Sequence, residues 1–358
     1  MMKSSPTITD IAKIAGVSIA TVSRVLNNPS AVAESLRKRV DQAVQETGYQ
    51  ANPIASNMKS LRRNQIATVI PSLRRNHYTD IIMGIGAVCN EKGMVSVVLE
   101  SGDSYETEKQ VVRALERQWV DGVILIPGRF AASEDEYRQY AERLATMNKR
   151  HIPIPIVLLD SPRIDERLDN ISVDHETAAF CMAEHLLELG RRNLALVTSA
   201  ENAVSYPGFC AGVRRALEEY GLEPRQEAFR PGNYTVLDGY WAARDILGSG
   251  IPVDGFVCTS DQLAAGVQCA CQENGLDVPR DVAIVGYGSV ALSIITTPPI
   301  TTWTVPWYDM GKRAAGMLFE RIEGERTQAL YEQVEGKLAI RGSTMRSAKK
   351  SMDTMFSE

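Results

Sequence analysis

Short apolar runs alternate with longer segments of helical periodicity from about residue 65 to residue 322. The runs are rich in Val, Ile and Leu, which is typical of parallel strands that are covered on both faces. They are Ile66–Ile70, Val95–Leu99, Val123–Ile126, Ile156–Leu159, Leu194–Val197, Gly255–Cys258 and Val282–Val285. Strands that alternate with helices in this way predict a doubly wound α/β fold. Because these strands are too many for one small sheet, we predict two parallel-sheet subdomains, 64–163 plus 291–322 and 164–290 plus 323–345.

The N-terminal segment has a different pattern, in which two apolar stripes of helical spacing are separated by turn-forming residues. Thr7 and Asp10 form a capping-box-like start, since a hydroxyl can accept an orphan N–H and a carboxylate suits the positive first turn. Gly16 can end this helix in the left-handed conformation, and Ser18 can cap the next helix. The buried faces consist of Ile11, Ala12 and Ala15 in the first helix and Val22, Val25 and Leu26 in the second. This segment therefore predicts an all-α helix-turn-helix unit.

The second of these helices turns an unusual mixture of side chains outward. Ile19, Ala20 and Thr21 lie beside Ser23 and Arg24 on this face. Exposed apolar groups next to a cation suit thymine methyl groups, base edges and phosphates in the major groove of DNA. The alternative interpretation is a three-helix cap with an ordinary polar face.

The run DIAKIAGVSIATVSRVLNN, residues 10–28, resembles the DNA-binding headpiece of the LacI–GalR family of bacterial transcriptional regulators. The resemblance continues to near residue 345. It implies a headpiece at 1–52, a hinge helix and linker at 53–63, a periplasmic-binding-protein-like body for effector binding and dimerisation at 64–345, and a polar tail at 346–358. The DNA-binding residues that it implies are Thr7, Ser18, Ile19, Ala20, Thr21, Ser23, Arg24, Asn27, Tyr49, Asn52, Ala55 and Met58.

The same resemblance gives the hinge a specific role. In the family, the short helix after Asn52 folds when two copies meet in the minor groove at the operator centre. Met58 occupies the position of the leucine that wedges between base pairs, and Met is among the apolar wedges that minor-groove binders use. Ser56 stands where an arginine is common. The chain is therefore expected to act as a homodimer on a near-palindromic double-stranded DNA operator.

The distribution of charge agrees with DNA binding by the N-terminal segment. Residues 1–63 contain nine Lys and Arg against four Asp and Glu, whereas the rest of the chain contains 30 against 40. A basic head on an acidic body suits a module that neutralises phosphates. The pI of 5.6 for the whole chain hides this division.

Several function classes find no support in the sequence. No signal-peptide pattern and no run of about 18 apolar residues is present, so a soluble, cytoplasmic protein without membrane contact is expected. The six cysteines are scattered and are expected to be buried thiols rather than disulfides or metal ligands. No cofactor is expected, because Walker, G-x-S-x-G and H-E-x-x-H motifs are absent. The four histidines, His77, His151, His175 and His185, are scattered. His175 and His185 lie ten residues apart on a predicted helix, so they face different sides and are expected on the surface or in the core rather than as ligands.

An effector pocket is expected in the cleft between the subdomains, because open α/β sheets bind ligands at the carboxyl ends of their strands. The positions that match the family's pocket are Arg74, Arg75, Asp160, Ser205, Tyr234, Ser260, Gln262 and Gly288. The resemblance implies that Tyr234 stacks on a sugar ring, and packing is the alternative. Asp261 is expected to cap the following helix rather than to contact the ligand.

Two departures from the family pattern bear on the effector. The R-x-x-G-F motif of the family supplies an arginine where this chain has Ser205, and its G-F-D motif supplies an aspartate where this chain has Gly288. An arginine and an aspartate together usually meet the hydroxyls of a neutral sugar. Because paired guanidinium groups bind phosphate or carboxylate well, Arg74 and Arg75 favour an anionic sugar derivative. The alternatives are that these arginines are solvated or lie in the dimer interface, or that the pocket has lost its small-molecule role.

The sequence thus predicts a ligand-responsive, sequence-specific DNA-binding transcriptional regulator. The usual mode of the family makes it a repressor, here of a carbohydrate or sugar-acid utilisation operon. Two alternatives share the two-lobed fold: a solute-binding protein for transport and a sugar-modifying enzyme. The basic headpiece argues against the first, and the lack of a recognisable catalytic constellation argues against the second.

Overall fold

The computed structural model describes residues 6–27, 32–49, 64–117, 120–129, 133–149 and 152–345. The chain divides into two compact units, Met1–Arg63 and Asn64–Glu358, which we call the headpiece and the body. The predicted hinge at 53–63 and the predicted tail at 346–358 lie outside the described residues.

The headpiece has three helices, α1 (Ile8–Ala15), α2 (Ile19–Asn27) and α3 (Glu34–Thr47). The predicted capping box is present: the Thr7 N–H donates to Asp10 Oδ2 at 2.9 Å, and the Asp10 N–H donates to Thr7 Oγ1 at 3.4 Å. Gly16 adopts the left-handed conformation with φ of 61° and ends α1. The helices enclose a small core of Ile11, Ala12, Ala15, Val22, Val25, Val40 and Ala43. The predicted helix-turn-helix fold is confirmed.

The strands and helices of the body alternate along the chain. The strands are β1 (Gln65–Ile70), β2 (Val95–Glu100), β3 (Gly122–Leu125), β4 (Asn148–Lys149), β5 (Ile152–Pro153), β6 (Ile156–Leu159), β7 (Asp169–Val173), β8 (Leu194–Thr198), β9 (Phe229–Pro231), β10 (Gly255–Cys258), β11 (Ala283–Tyr287), β12 (Thr301–Thr304), β13 (Tyr331–Val334) and β14 (Lys337–Ala339). The helices are α4 (His77–Glu91), α5 (Tyr105–Arg117), α6 (Glu134–Ala145), α7 (His175–Glu188), α8 (Tyr206–Glu219), α9 (Val236–Gly248), α10 (Asp261–Glu273), α11 (Leu292–Ile295) and α12 (Trp307–Glu323).

Two six-stranded sheets organise the body. The first has the order β13-β7-β6-β3-β1-β2, and its neighbouring strands are parallel. The second has the order β14-β12-β11-β10-β8-β9, in which β14 is an antiparallel edge strand and the other neighbours are parallel. Helix α4 packs on α12 beside the first sheet, whereas the pairs α7–α8 and α9–α10 pack beside the second. The predicted pair of doubly wound, parallel-sheet subdomains is confirmed, and we call them the first and second lobes.

Three strands lie in a different lobe from the one that the sequence predicts. Strands β7 and β13 belong to the first sheet, and β12 belongs to the second, contrary to the predicted division at 163, 291 and 323. The chain therefore crosses between the lobes after β7, after β12 and after β13. The apolar pattern missed β7 because its polar residues are buried through specific partners: Asp169 is ion-paired with Arg326 at 2.6 Å and accepts the Leu330 N–H at 2.7 Å. β13 is an edge strand with a polar sequence, so it carries no apolar run.

The cysteines agree only partly with expectation. All six are free thiols, but Cys269 is exposed and Cys181 is half-buried, so burial of every cysteine was the wrong prediction. In the part of the chain that the structure describes, no group of three or more His, Cys, Asp or Glu side chains could hold a metal ion. The helices of the described ranges are all too short or too polar to cross a membrane.

Two glycines of α9 give a matched test of the packing in the second lobe. At Gly239 a Cβ atom would lie 2.2 Å from the carbonyl oxygen of Leu263 on α10, whereas at Gly248 it would meet nothing within 4 Å. We expect Gly239→Ala to lower the free energy of unfolding by about 1–3 kcal/mol, because the backbones must move apart. Gly248→Ala is expected to raise it by up to about 1 kcal/mol through helix propensity. Urea unfolding of both variants checks this, and equal effects would contradict the close α9–α10 contact.

Candidate effector cleft and DNA-binding face

A small cavity of about 30 Å³, partly open to solvent, lies where the carboxyl ends of both sheets meet. Its lining comes from loops and helix starts that directly follow strands, as expected for doubly wound sheets. The lining residues are Arg75, His77, Tyr78, Pro127, Gly128, Asp160, His175, Val204, Ser205, Phe209, Tyr234, Thr259, Ser260 and Tyr287. Side chains of both lobes therefore face one cleft.

Arg75 is the buried cation of this cleft, with 6% of its surface exposed. Its Nη1 donates to the Tyr78 hydroxyl at 3.2 Å, its Nη2 is ion-paired with Asp103, and its guanidinium carbon lies 3.8 Å from the Tyr234 ring centroid. Burial alone would lower the pKa of Arg75, but the oxygens of Tyr78, Tyr234 and Asp103 outweigh it and raise the pKa. The guanidinium is therefore charged, and it joins the first lobe to Tyr234 of the second.

Asp160 provides a second link between the lobes. It follows β6 with φ of 52°, a left-handed conformation that is uncommon for a residue other than glycine and is often found at functional sites. Its Oδ1 lies 3.3 Å from His175 Nε2, and His175 Nδ1 lies 3.3 Å from the Tyr287 hydroxyl. Burial raises the pKa of Asp160, but His175, His77 and Arg75 together lower it below its usual value. The cleft therefore holds a carboxylate opposite a histidine.

His77 occupies the floor of the cleft beside Trp307. The two ring centroids are 4.7 Å apart, and the His77 and Tyr78 rings are 4.2 Å apart. Burial lowers the pKa of His77 to about 3, even though Asp160 acts in the opposite direction. Trp307 in turn donates its indole N–H to the carbonyl oxygen of Gly288 at 3.1 Å. A neutral imidazole is thus packed at the point where the chain crosses between the lobes.

The wall contributed by the second lobe carries hydroxyl groups. Ser205 Oγ and the Tyr234 hydroxyl are 3.2 Å apart, and either can be the donor. Ser260 Oγ accepts the Leu263 N–H at 3.1 Å, so Ser260 caps α10. The expectation that Asp261 is the cap is wrong. Asp261 instead accepts bonds from Thr302 Oγ1 at 2.6 Å and from the Val290 N–H at 2.8 Å, and burial raises its pKa to about 7.

The structure brings together five of the expected effector-binding residues and leaves three outside the cavity lining. Those in the lining are Arg75, Asp160, Ser205, Tyr234 and Ser260; those outside it are Arg74, Gln262 and Gly288. Arg74 is exposed. Gly288 has φ of 112° and borders a separate surface depression near Arg341.

Sequence reasoning missed other lining residues, most clearly His77, His175 and Thr259. Of the two histidines, His175 was expected on the surface or in the core. Their positions did hold a usable signal, because each follows the carboxyl end of a strand in the first lobe within a few residues. The sequence did not indicate that His77 and His175 lie in the same cavity, because the two residues are far apart along the chain.

The DNA-binding face expected on α2 is open to solvent in the headpiece. Ser18, Ile19, Ala20 and Arg24 are exposed, with Ile19 at 46%, whereas Thr21 and Ser23 are half-buried. The hydroxyls of Thr7 and Ser18 bond within their own caps: Thr7 Oγ1 donates to Asp10 Oδ2 at 2.6 Å, and Ser18 Oγ accepts the Thr21 N–H at 3.1 Å. Tyr49 is half-buried, α2 ends at Asn27, and the expected contacts Asn52, Ala55 and Met58 lie outside the described residues.

Known proteins resemble this chain along nearly its whole length. A family model described as bacterial regulatory proteins, lacI family, matches residues 7–52, and one described as a periplasmic binding protein-like domain matches residues 183–344. The HTH-type transcriptional regulator RegA of Clostridium saccharobutylicum is 30% identical over 339 residues, which cover 94% of this chain and 99% of RegA. The lac repressor dimer bound to operator and the anti-inducer ONPF is 27% identical, with a TM-score of 0.83 over 95% of this chain and 99% of the repressor. A complex of the transcriptional regulator CelR with cellobiose is also 27% identical, with a TM-score of 0.69 over 94% and 99%.

A helix-turn-helix headpiece on the same chain as a two-lobed body with a polar cleft defines a ligand-binding transcriptional regulator. The extent of the match to RegA and the model that matches the headpiece place this chain in the lacI family of bacterial regulatory proteins. It is a transcriptional repressor of that family with a ligand-binding domain, and the recognised relatives are regulators rather than enzymes.

The low pKa of His77, a half-buried side chain of the cleft, predicts a specific pH dependence of stability. In the unfolded chain His77 takes up a proton below its ordinary pKa of 6.5, whereas in the folded protein its pKa is about 3. The contribution of His77 to the free energy of unfolding is therefore fully present above pH 6.5. It declines as the pH falls below this value, with a slope of up to about 1.4 kcal/mol per pH unit. We expect His77→Phe, whose ring can still stack on Trp307, to flatten this decline in urea unfolding between pH 7 and pH 5. Parallel curves for the variant and the wild type would show that His77 is protonated in the fold.

Proposed function

We propose that this repressor binds a near-palindromic DNA operator as a homodimer, responds to a small sugar-derived effector in the cleft, and controls a carbohydrate or sugar-acid utilisation operon. The observation that carries the effector site is a set of buried polar atoms in one cavity. Arg75 Nε and Thr259 Oγ1 have no hydrogen-bond partner among the described residues. Since buried polar groups are normally satisfied, these atoms are suited to the hydroxyls of a bound ligand.

The surroundings of Arg75 bear on the charge of the effector. An anionic sugar derivative, which the sequence favours, needs both Arg74 and Arg75, but Arg74 lies outside the cavity lining and Arg75 is paired with Asp103. Asp160 lines the same cavity and would repel an anion. Together with Arg75 it supplies an arginine and an aspartate for the hydroxyls of a neutral sugar. We therefore propose a neutral polyhydroxylated effector ahead of an anionic one.

A homodimer is supported by apolar exposure on the first lobe. The resemblance to the family implies an interface around the helices Tyr78–Lys92 and Tyr105–Gln118 and the strand Val95–Leu99. In that region Met83 is 59% exposed and Val95 is 60% exposed, so both apolar side chains are open to a partner. A two-fold contact would cover them and would supply the second headpiece that a near-palindromic operator requires.

The proposed operator binding predicts the behaviour of the full chain with DNA. A gel-shift assay with the promoter region beside this gene is expected to give a complex at moderate salt. Arg24→Ala should weaken binding by about 1–3 kcal/mol if Arg24 contacts a base, or reduce the salt slope by about one if it contacts a phosphate. Lys38→Ala is the control, because Lys38 is a headpiece cation that is paired with Glu34 at 2.9 Å. Failure of folded wild-type protein to shift the DNA would overturn the proposed operator binding.

The proposed effector class predicts a dependence of thermal stability on added sugars. In a thermal-shift assay, neutral sugars such as cellobiose or glucose are expected to raise the Tm with increasing concentration, by the linkage between binding and stability. Asp160→Asn should reduce that shift, because an amide cannot accept from ligand hydroxyls as strongly as a carboxylate. Gluconate and glucose 6-phosphate are the anionic comparison. A shift by the anions alone would reject the neutral class and restore the anionic one.

A further inference from the structure

We infer that Thr259 is a specificity-determining residue of the cleft, whose hydroxyl forms a hydrogen bond with the effector from the second-lobe side. The inference rests on the proposed effector site and adds to it a residue that the sequence does not single out. Thr259 directly follows β10 and precedes the cap Ser260, and it lines the cavity. It is 2% exposed, yet its Oγ1 has no hydrogen-bond partner among the described residues.

The backbone holds this side chain in place. The Thr259 N–H donates to the carbonyl oxygen of Val197 at 3.1 Å, which continues the pairing of β10 with β8. Threonine is branched at Cβ, so few side-chain rotamers are open to it. The hydroxyl is therefore presented at a fixed place without a partner, which is how a pre-organised binding group is arranged.

The topology of the second sheet explains why this place suits a ligand. Strand β8 lies between β10 and β9 in the sheet. The connection after β8 runs through α8 to β9, whereas the connection after β10 runs through α10 to β11, in the opposite direction across the sheet. The crevice between the ends of β8 and β10 is thus the switch point of the sheet, where doubly wound folds bind their ligands. Thr259 stands at the β10 side of this crevice.

Two further hydroxyls show that the lack of a hydrogen-bond partner does not by itself identify a ligand-binding residue. Thr198 Oγ1 and Ser199 Oγ, at the end of β8, are also buried without a partner among the described residues. Neither of them lines the cavity, whereas Thr259 does. An unsatisfied hydroxyl lowers stability wherever it is buried, but at Thr259 a ligand could satisfy it. Thr198 therefore offers a matched control on the neighbouring strand.

The two walls of the cleft differ in chemistry. Arg75 and Asp160 on the first-lobe wall are charged, while Thr259, Ser205 and Tyr234 on the second-lobe wall carry hydroxyls. A hydroxyl can donate and accept, so Thr259 can recognise a hydroxyl of a polyhydroxylated ligand whose other groups meet Arg75 and Asp160. A ligand bound in this way bonds to both lobes at once.

The test compares Thr259→Val, Thr259→Ser and Thr198→Val in the full chain. Without ligand, both valine variants are expected to raise the Tm by about 2–4 °C, because each removes a buried unsatisfied hydroxyl and keeps the side-chain shape. With cellobiose as the probe, Thr259→Val is expected to bind about tenfold more weakly than the wild type, whereas Thr198→Val is unchanged and Thr259→Ser recovers affinity.

A loss of Tm in Thr259→Val without ligand would overturn the inference, since it would mean that the hydroxyl makes a structural bond. Equal cellobiose affinity in Thr259→Val and the wild type would overturn it as well. If cellobiose leaves the Tm of the wild type unchanged, glucose, gluconate and glucose 6-phosphate replace it as probes. If none of these shifts the wild type, the proposed effector class fails, while the stability comparison still decides between a binding and a structural hydroxyl at Thr259.

Discussion

The buried guanidinium of Arg75 is the constraint on which the cleft depends. A charge in this position is tolerated only with close partners, and Arg75 obtains them from Asp103, Tyr78 and the face of Tyr234. Asp103 is held in the left-handed conformation with φ of 56°, and its carbonyl oxygen accepts from Arg129 Nε at 3.3 Å. Asp103 therefore connects the Arg75 guanidinium to a second arginine, Arg129.

The contacts around Arg75 also join the two lobes. Arg129 also donates to Asn202 Oδ1 of the second lobe at 2.7 Å, and a backbone bridge joins Arg129 to Ala203. With the Arg75–Tyr234 and Asp160–His175 contacts, the lobes are connected on the cleft side as well as through the three chain crossovers. An effector that contacts both walls must change the balance of these bonds. It can therefore favour one lobe arrangement over another, which is the thermodynamic requirement for coupling to DNA binding.

The sequence predicted the elements that have a local pattern and missed the residues whose place depends on contacts between distant parts of the chain. Apolar runs gave most of the parallel strands, and the capping and glycine signals gave the helix-turn-helix. Strand β7 was missed because Asp169, Asn170 and Ser172 are polar, and their burial depends on partners that no local pattern shows. The histidines of the cleft were missed for a related reason, since His77 and His175 meet Asp160 only through the topology of the sheet. Ser260, not Asp261, caps α10, and two adjacent residues that are both good caps leave that choice to tertiary contacts.

The groups that line the cleft bear on the charge of the effector differently from the motif positions. The family resemblance implies that Ser205 and Gly288 stand where an arginine and an aspartate are usual, which argued against a neutral sugar. Arg75 and Asp160 place the same two groups in the cavity from the first lobe. A ligand responds to the groups that face it and not to the strand that carries them, so Arg75 and Asp160 support a neutral effector, while the anionic one stays a prediction from the sequence. Gly288 lies outside the cavity lining, and its carbonyl oxygen accepts the Trp307 indole N–H where the chain enters α12.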